Sequence, residues 1–115
     1  MSDYTAKHRF ARMSARKGRY VIDMVRGLPA NDAMHLLENN SRRAAFMIRK
    51  VLKSAIANAS QDPDCNVNRL RITKALVDDG PLLQHRLRWR PGPQGRAMPF
   101  RRRMCHITLV LAEDE

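Results

Sequence analysis

Residues 70–111, LRITKALVDDGPLLQHRLRWRPGPQGRAMPFRRRMCHITLVL, decide the fold. At the N-terminal end Leu70, Ile72 and Leu76 alternate with Arg69, Arg71, Thr73 and Val77, the period of two that marks a half-buried strand. At the other end Cys105, Ile107, Leu109 and Leu111 alternate with Met104, His106, Thr108 and Val110. Between them lies Arg90-Pro91-Gly92-Pro93-Gln94-Gly95, which is turn chemistry. Two arms converging on one turn predict a β-hairpin. From Asp79 to Pro91 is twelve steps, about 40 Å of extended chain at roughly 3.3 Å per residue. A body of this size is only about 30 Å across, so the hairpin must project. Pro99 removes a ladder donor from the returning arm, which predicts an irregularity there.

Isolated two-stranded ribbons are marginal in water, and this one lacks the apolar alternation that would pack it on its own domain. Its order has to come from a partner. No acid occurs between Asp79 and Glu113, whereas Arg86, Arg88, Arg90, Arg96, Arg101, Arg102 and Arg103 all fall there. The guanidinium fork matches phosphate and stacks on bases, so the partner is polyanionic. Trp89, the only tryptophan, sits between Arg88 and Arg90. It either stacks on a nucleobase or pins the two arms together.

Upstream the pattern is helical. Ser14 is a plausible N-cap and Gly27 closes a helix whose Tyr20, Val21, Met24 and Val25 recur at helical spacing. Pro29 and Asn31 mark a break and a new cap, followed by a short helix with Ala33, Met34, Leu36 and Leu37 as its apolar face. From Ser41, a third cap, the longest periodic stretch runs to about Ser60. Ala44, Ile48, Val51, Leu52, Ala55, Ile56 and Ala59 form its stripe, with Arg42, Arg43, Arg49, Lys50 and Lys53 on the other side. This is the central core helix. Residues 5–13, short and basic, can supply a third strand.

The whole chain of 115 residues carries 22 Lys+Arg against 11 Asp+Glu, a net charge of +11, with 43% apolar residues. That is one domain, too apolar for a disordered polycation. A second acid-free window, between Asp3 and Asp23, holds Lys7, Arg9, Arg12, Arg16, Lys17 and Arg19, with His8 among them. Such clustering points to nucleic acid first and an acidic membrane surface second. Cys65 and Cys105 show no CxxC spacing and read as free thiols of a reducing compartment. The N-terminus lacks an export-signal apolar core, and no window approaches the roughly 20 apolar residues of a membrane span. A soluble intracellular protein is expected.

Catalysis and metal binding find little support. Asp78 and Asp79 are adjacent on a strand, point to opposite faces and precede Gly80-Pro81, which reads as a strand end. Among Cys65, Cys105, His85 and His106 no pair has zinc-ligand spacing except the adjacent Cys105-His106, whose side chains diverge on a strand. There is no nucleotide-binding glycine loop. No catalytic residue, metal or cofactor is expected.

Five segments in order, AKHRFARMSARKGRYVIDMVRG (6–27), KVLKSAIANA (50–59), VDDGP (77–81), QGRA (94–97) and CHITLVLAE (105–113), resemble the large ribosomal subunit protein twenty-two family in its bacterial form. The resemblance covers nearly the whole chain. It implies an α+β body, three helices on a small three-stranded antiparallel sheet, with a long protruding β-hairpin. It implies a single domain over 1–115, with the hairpin running from about Leu70 to Leu111, its arginine-rich extension over 80–103 and its tip near 89–96. Gly95, Arg96 and Ala97 match the tip-proximal motif. Family members bind large-subunit ribosomal RNA during early assembly, neighbour other large-subunit proteins, and help line the tunnel through which the nascent peptide leaves. Tip changes in the family are associated with macrolide resistance. The chain departs from the pattern at Ala15, where proline is usual, at Gly92-Pro93, where arginine and alanine are common, and at Met104-Cys105, where Thr-Ser is common. The stretch 82–88 is a few residues longer than usual.

The resulting expectation is a non-enzymatic ribosomal protein of the cytoplasm. Arg9, Arg12, Arg16, Lys17 and Arg19, with Lys7 and His8, dock the body on phosphates, and the hairpin arginines with Trp89 and Gly95 hold the extension in RNA. No membrane partner and no homo-oligomer are expected. The rivals are a DNA-compacting protein, for which duplex DNA would compete equally, and a cationic amphipathic membrane binder.

Overall fold

A computed structural model of the chain describes residues 3–82, 87–100 and 103–113, with only the backbone of 99 and 100. Its organising element is the last strand, β5 (Arg103–Glu113), which lies between β1 (Asp3–Ala11) and β2 (Leu70–Leu82) in an antiparallel sheet of order β1-β5-β2. The strictly alternating Cys105, Ile107, Leu109 and Leu111 of β5 all lie wholly buried beneath the helices. This is what the period of two predicts for a central strand with one covered face.

Three helices cover that face: α1 (Ala15–Val25) against β2, α3 (Arg43–Ser60) against β1 and β5, and α2 (Ala30–Glu38) against α3. The long stripe of α3 is buried as its spacing requires, with Ala44, Ile48, Val51, Leu52, Ala55 and Ala59 in the core and Ile56 at its margin. Its N-cap is Arg42 rather than Ser41, because the Asn40 side chain accepts the Arg42 N–H and sets the first turn one residue later. Likewise Pro29, not Asn31, precedes α2. Gly27 closes α1 as expected, with φ of +81°, a left-handed conformation that other residues resist.

The inner face of α1 differs from the expected one. Ala15, Gly18, Val21, Ile22 and Val25 are buried, while Tyr20 and Met24 face solvent. Small residues let the helix approach β2 closely, and a Cβ on Gly18 would come within 3.1 Å of the Val77 side chain. Arginines then cap the outer edge of β2. Arg26 donates to the Ala75 carbonyl (2.8 Å through Nη2) and Arg19 Nε to that of Val77 (3.1 Å). The Ile72 N–H bonds the Leu28 carbonyl. An edge whose carbonyls are occupied by guanidinium groups is a poor template for a foreign strand.

Strand β2 also departs from simple alternation. Its register against β5 shifts between Ile72 and Lys74. The inward set is therefore Leu70, Ile72, Ala75 and Val77, and Leu76 turns outward, 37% exposed. One extra residue inverts the face of everything after it.

Beyond the body, β3 (Arg88–Pro91) and β4 (Ala97–Phe100) pair as a two-stranded ribbon. The principal extents are 64 × 25 × 16 Å and the radius of gyration is 17.2 Å, against about 13 Å for a compact chain of this length. Pro99 causes no register shift, contrary to the expected irregularity. The Gly92 N–H donates to the Arg96 carbonyl, so by the antiparallel alternation the Trp89/Pro99 and Pro91/Ala97 pairs are the non-hydrogen-bonded ones. Both prolines lack only an outward N–H, which leaves the ladder intact and blocks growth at each edge. The turn closes through two left-handed residues, Gln94 (φ 57°) and Gly95 (φ 75°).

At the far end of the sheet the Tyr4 hydroxyl donates to Asp62 Oδ2 at 2.7 Å, joining β1 to the turn after α3. The bond to Asp62, with the Cys65 thiol second, pushes the Tyr4 phenol up, and the same bond, with the Asp64 N–H, pulls Asp62 down. A depressed carboxylate stabilises the fold above its ordinary range near 4, and that contribution fades as pH falls. A raised phenol stabilises it below about 10, and that contribution fades as pH climbs. Tyr4→Phe should therefore lower the melting temperature between about pH 5 and 9 and converge on wild type at both extremes. A pH-independent difference would assign the effect to packing.

Candidate nucleic-acid interface

The pairing of β1 with β5 places Ala11 opposite Cys105, two residues from Arg103. Antiparallel registry thus brings the two acid-free windows, far apart in sequence, to one end of the sheet. Lys7 and Arg9 are exposed on β1, Arg12 follows it, and Arg16 and Lys17 occupy the exposed first turn of α1. His8 is half-buried. Arg19 is exposed, with its Nε donating to the Val77 carbonyl. Arg103 is exposed at the base of the ribbon, Arg90 and Arg96 are exposed farther out, and Arg88 is half-buried. Arg86, Arg101 and Arg102 lie outside the described residues. Acids collect at the opposite end of the body, where Asp3, Asp62, Asp64 and Glu113 adjoin. Asp78 and Asp79, exposed on β2 across from His106 and Cys105, are the acids nearest the basic end.

Trp89 is 61% exposed. It pairs with Pro99 in the register, and most of the indole is open to solvent. Gly95 supplies the second left-handed residue of the turn.

A third group of cations decorates the outer side of α3. Arg49 and Lys50 lie over the Phe46 ring at 5.5 and 4.5 Å, and Arg42 lies over Tyr20 at 5.8 Å. Phe10, Tyr20 and Phe46 are exposed; the sequence pattern set Tyr20 on the apolar face of α1 and assigned no role to Phe10 or Phe46. For Tyr20 the signal was the Ala15/Gly18 spacing, which marks the close face of α1 on another side.

The described residues hold no group of three or more metal-binding side chains. Cys65 and Cys105 are unpaired. Burial pushes the Cys105 thiol up, partly offset by Arg19, so it remains protonated. None of the described helices is long and apolar enough to cross a membrane.

The arrangement is a folded basic end continued by an arginine ribbon. A family model described as ribosomal protein L22p/L17e matches residues 6–112. The chain belongs to this ribosomal protein family. As a member of L22p/L17e it is a structural protein of the large ribosomal subunit that binds ribosomal RNA beside other ribosomal proteins. The family is structural rather than enzymatic. The α+β fold and the strand pair beyond the sheet agree with it.

Proposed function

We propose that this protein docks its basic end on large-subunit RNA during early assembly and threads the ribbon between RNA helices, its tip at 89–96 lining the path of the nascent peptide. The observation that carries the reading is the registry that joins Arg9, Arg12, Arg16 and Lys17 to the base of the arginine ribbon. Lys7, His8 and Arg19 complete the body's phosphate contacts. Arg86, Arg88, Arg90, Arg96, Arg101, Arg102 and Arg103 hold the ribbon, with Trp89 and Gly95 at its end. Phosphate contacts fix position without reading sequence, and the narrow major groove of RNA leaves shape as what is recognised.

Co-sedimentation with large subunits through a salt series tests this. Stoichiometric retention is expected, failing only at high salt, and at lower salt for a chain lacking 86–101. Free protein at the top of the gradient at every salt concentration overturns the reading. In the same particles a photoreactive residue at position 94 should label stalled nascent chains. Labelling of RNA alone would remove the tunnel role.

A further inference from the structure

The face of the sheet opposite the helices is accessible among the described residues, and it bears Thr5, Lys7, Lys74, Leu76, His106 and Thr108. At its basic end β1 bulges. The register passes from His8 opposite Ile107 to Ala11 opposite Cys105, so Arg9 and Phe10 together oppose His106. Phe10 takes φ of 60°, a left-handed conformation costing an L-residue roughly 1–2 kcal/mol. Glycine is the usual occupant of such a bulge position. Here the strained position carries a phenylalanine that is 46% exposed.

Its setting is specific. The Phe10 N–H, freed from the ladder by the bulge, donates to His106 Nδ1 at 3.0 Å. The two rings meet edge-on, 5.0 Å between centroids at 88°. The Arg9 guanidinium lies 5.3 Å from the Phe10 centroid. Strain of this kind persists where the surroundings over-determine it, and it gathers at contact sites. A core role is excluded by exposure, and a turn role would favour glycine.

From these observations we infer that Phe10 is a stacking platform for an unpaired RNA nucleobase, oriented by His106, with Arg9 taking the phosphate of the same nucleotide. Aromatic side chains on an open sheet face, beside cations, are a recurring way to hold splayed bases. The charge favours RNA over an apolar protein partner: between Asp3 and Asp23 every charged side chain is basic. Among the described residues Asp78, opposite His106, is the one acid on this end of the face. The inference rests on the RNA-binding reading and adds to it a defined single-nucleotide site on the body, away from the ribbon.

The test uses the full chain. Phe10→Gly relieves the strain and should melt within a few degrees of wild type while binding large-subunit RNA roughly tenfold more weakly, the scale of one lost stack. Phe10→Tyr should restore binding. In a Trp89→Phe background, Phe10→Trp should be quenched by a twelve-residue oligoadenylate and not by a blunt RNA duplex of equal length. Unchanged affinity of Phe10→Gly overturns the inference, as does a loss that tracks a lowered melting temperature. Equal quenching by polyglutamate would reduce the site to charge alone and also overturn it. Wild type failing to bind the RNA would instead sink the RNA-binding reading itself.

Discussion

Replacing Arg88, Arg90, Arg96 and Arg103 together by glutamine is expected to weaken binding to large-subunit RNA by about 100- to 1,000-fold at moderate salt. Hydrogen bonds to charged groups contribute on the order of 1 kcal/mol or more net. Four of them reach about 4 kcal/mol before screening, and 1.4 kcal/mol is tenfold. The slope of log affinity against log salt should flatten by about 3, since each lost phosphate contact returns its counterions to the RNA. The body should be untouched, because Arg90, Arg96 and Arg103 are exposed and none of the four side chains belongs to the hydrophobic core. An unaltered melting temperature together with the flattened slope is the expected pair of results. An unaltered slope would mean that the ribbon does not meet phosphate, and would confine RNA binding to the body.

The two strands and the long helix were legible in the sequence because burial of one face leaves a periodic trace, and Cys105 to Leu111 and Ala44 to Ala59 carry it without interruption. The projecting ribbon was legible from composition and arithmetic, since twelve steps of extended chain outrun the body. What was not legible has a common cause. Thr73 and Phe10 are bulge positions, where one residue changes the face of its successors, and nothing in local hydrophobicity marks them. The bulge at Thr73 placed Leu76 wrongly, and the one at Phe10 concealed an exposed ring within a stretch read only for charge. The pairing that unites the two basic windows is a long-range property of β1 and β5. Charge counting found both windows; only registry shows that they are one surface.

The same registry sets the largest stability effect. Leu109→Ala should cost about 3–5 kcal/mol, the upper part of the range for a buried leucine. Leu109 is wholly buried at the middle of β5, and its neighbours across both ladders are Ala6 and Ala75. Neither methyl group can swing into the void, so the cavity should collapse poorly, and the cost grows with the volume left empty. Against a total stability of about 5–15 kcal/mol, the loss should depress the melting temperature by roughly 15 °C. Leu76→Ala, one strand away, should cost under about 1 kcal/mol, because the bulge has already turned that side chain to solvent. Urea unfolding followed by circular dichroism separates the two. Equal costs would place Leu76 in the core and remove the bulge at Thr73. A large gap would show that the inversion of β2 holds in solution, and with it the accessible sheet face on which Phe10, Lys7 and Lys74 stand.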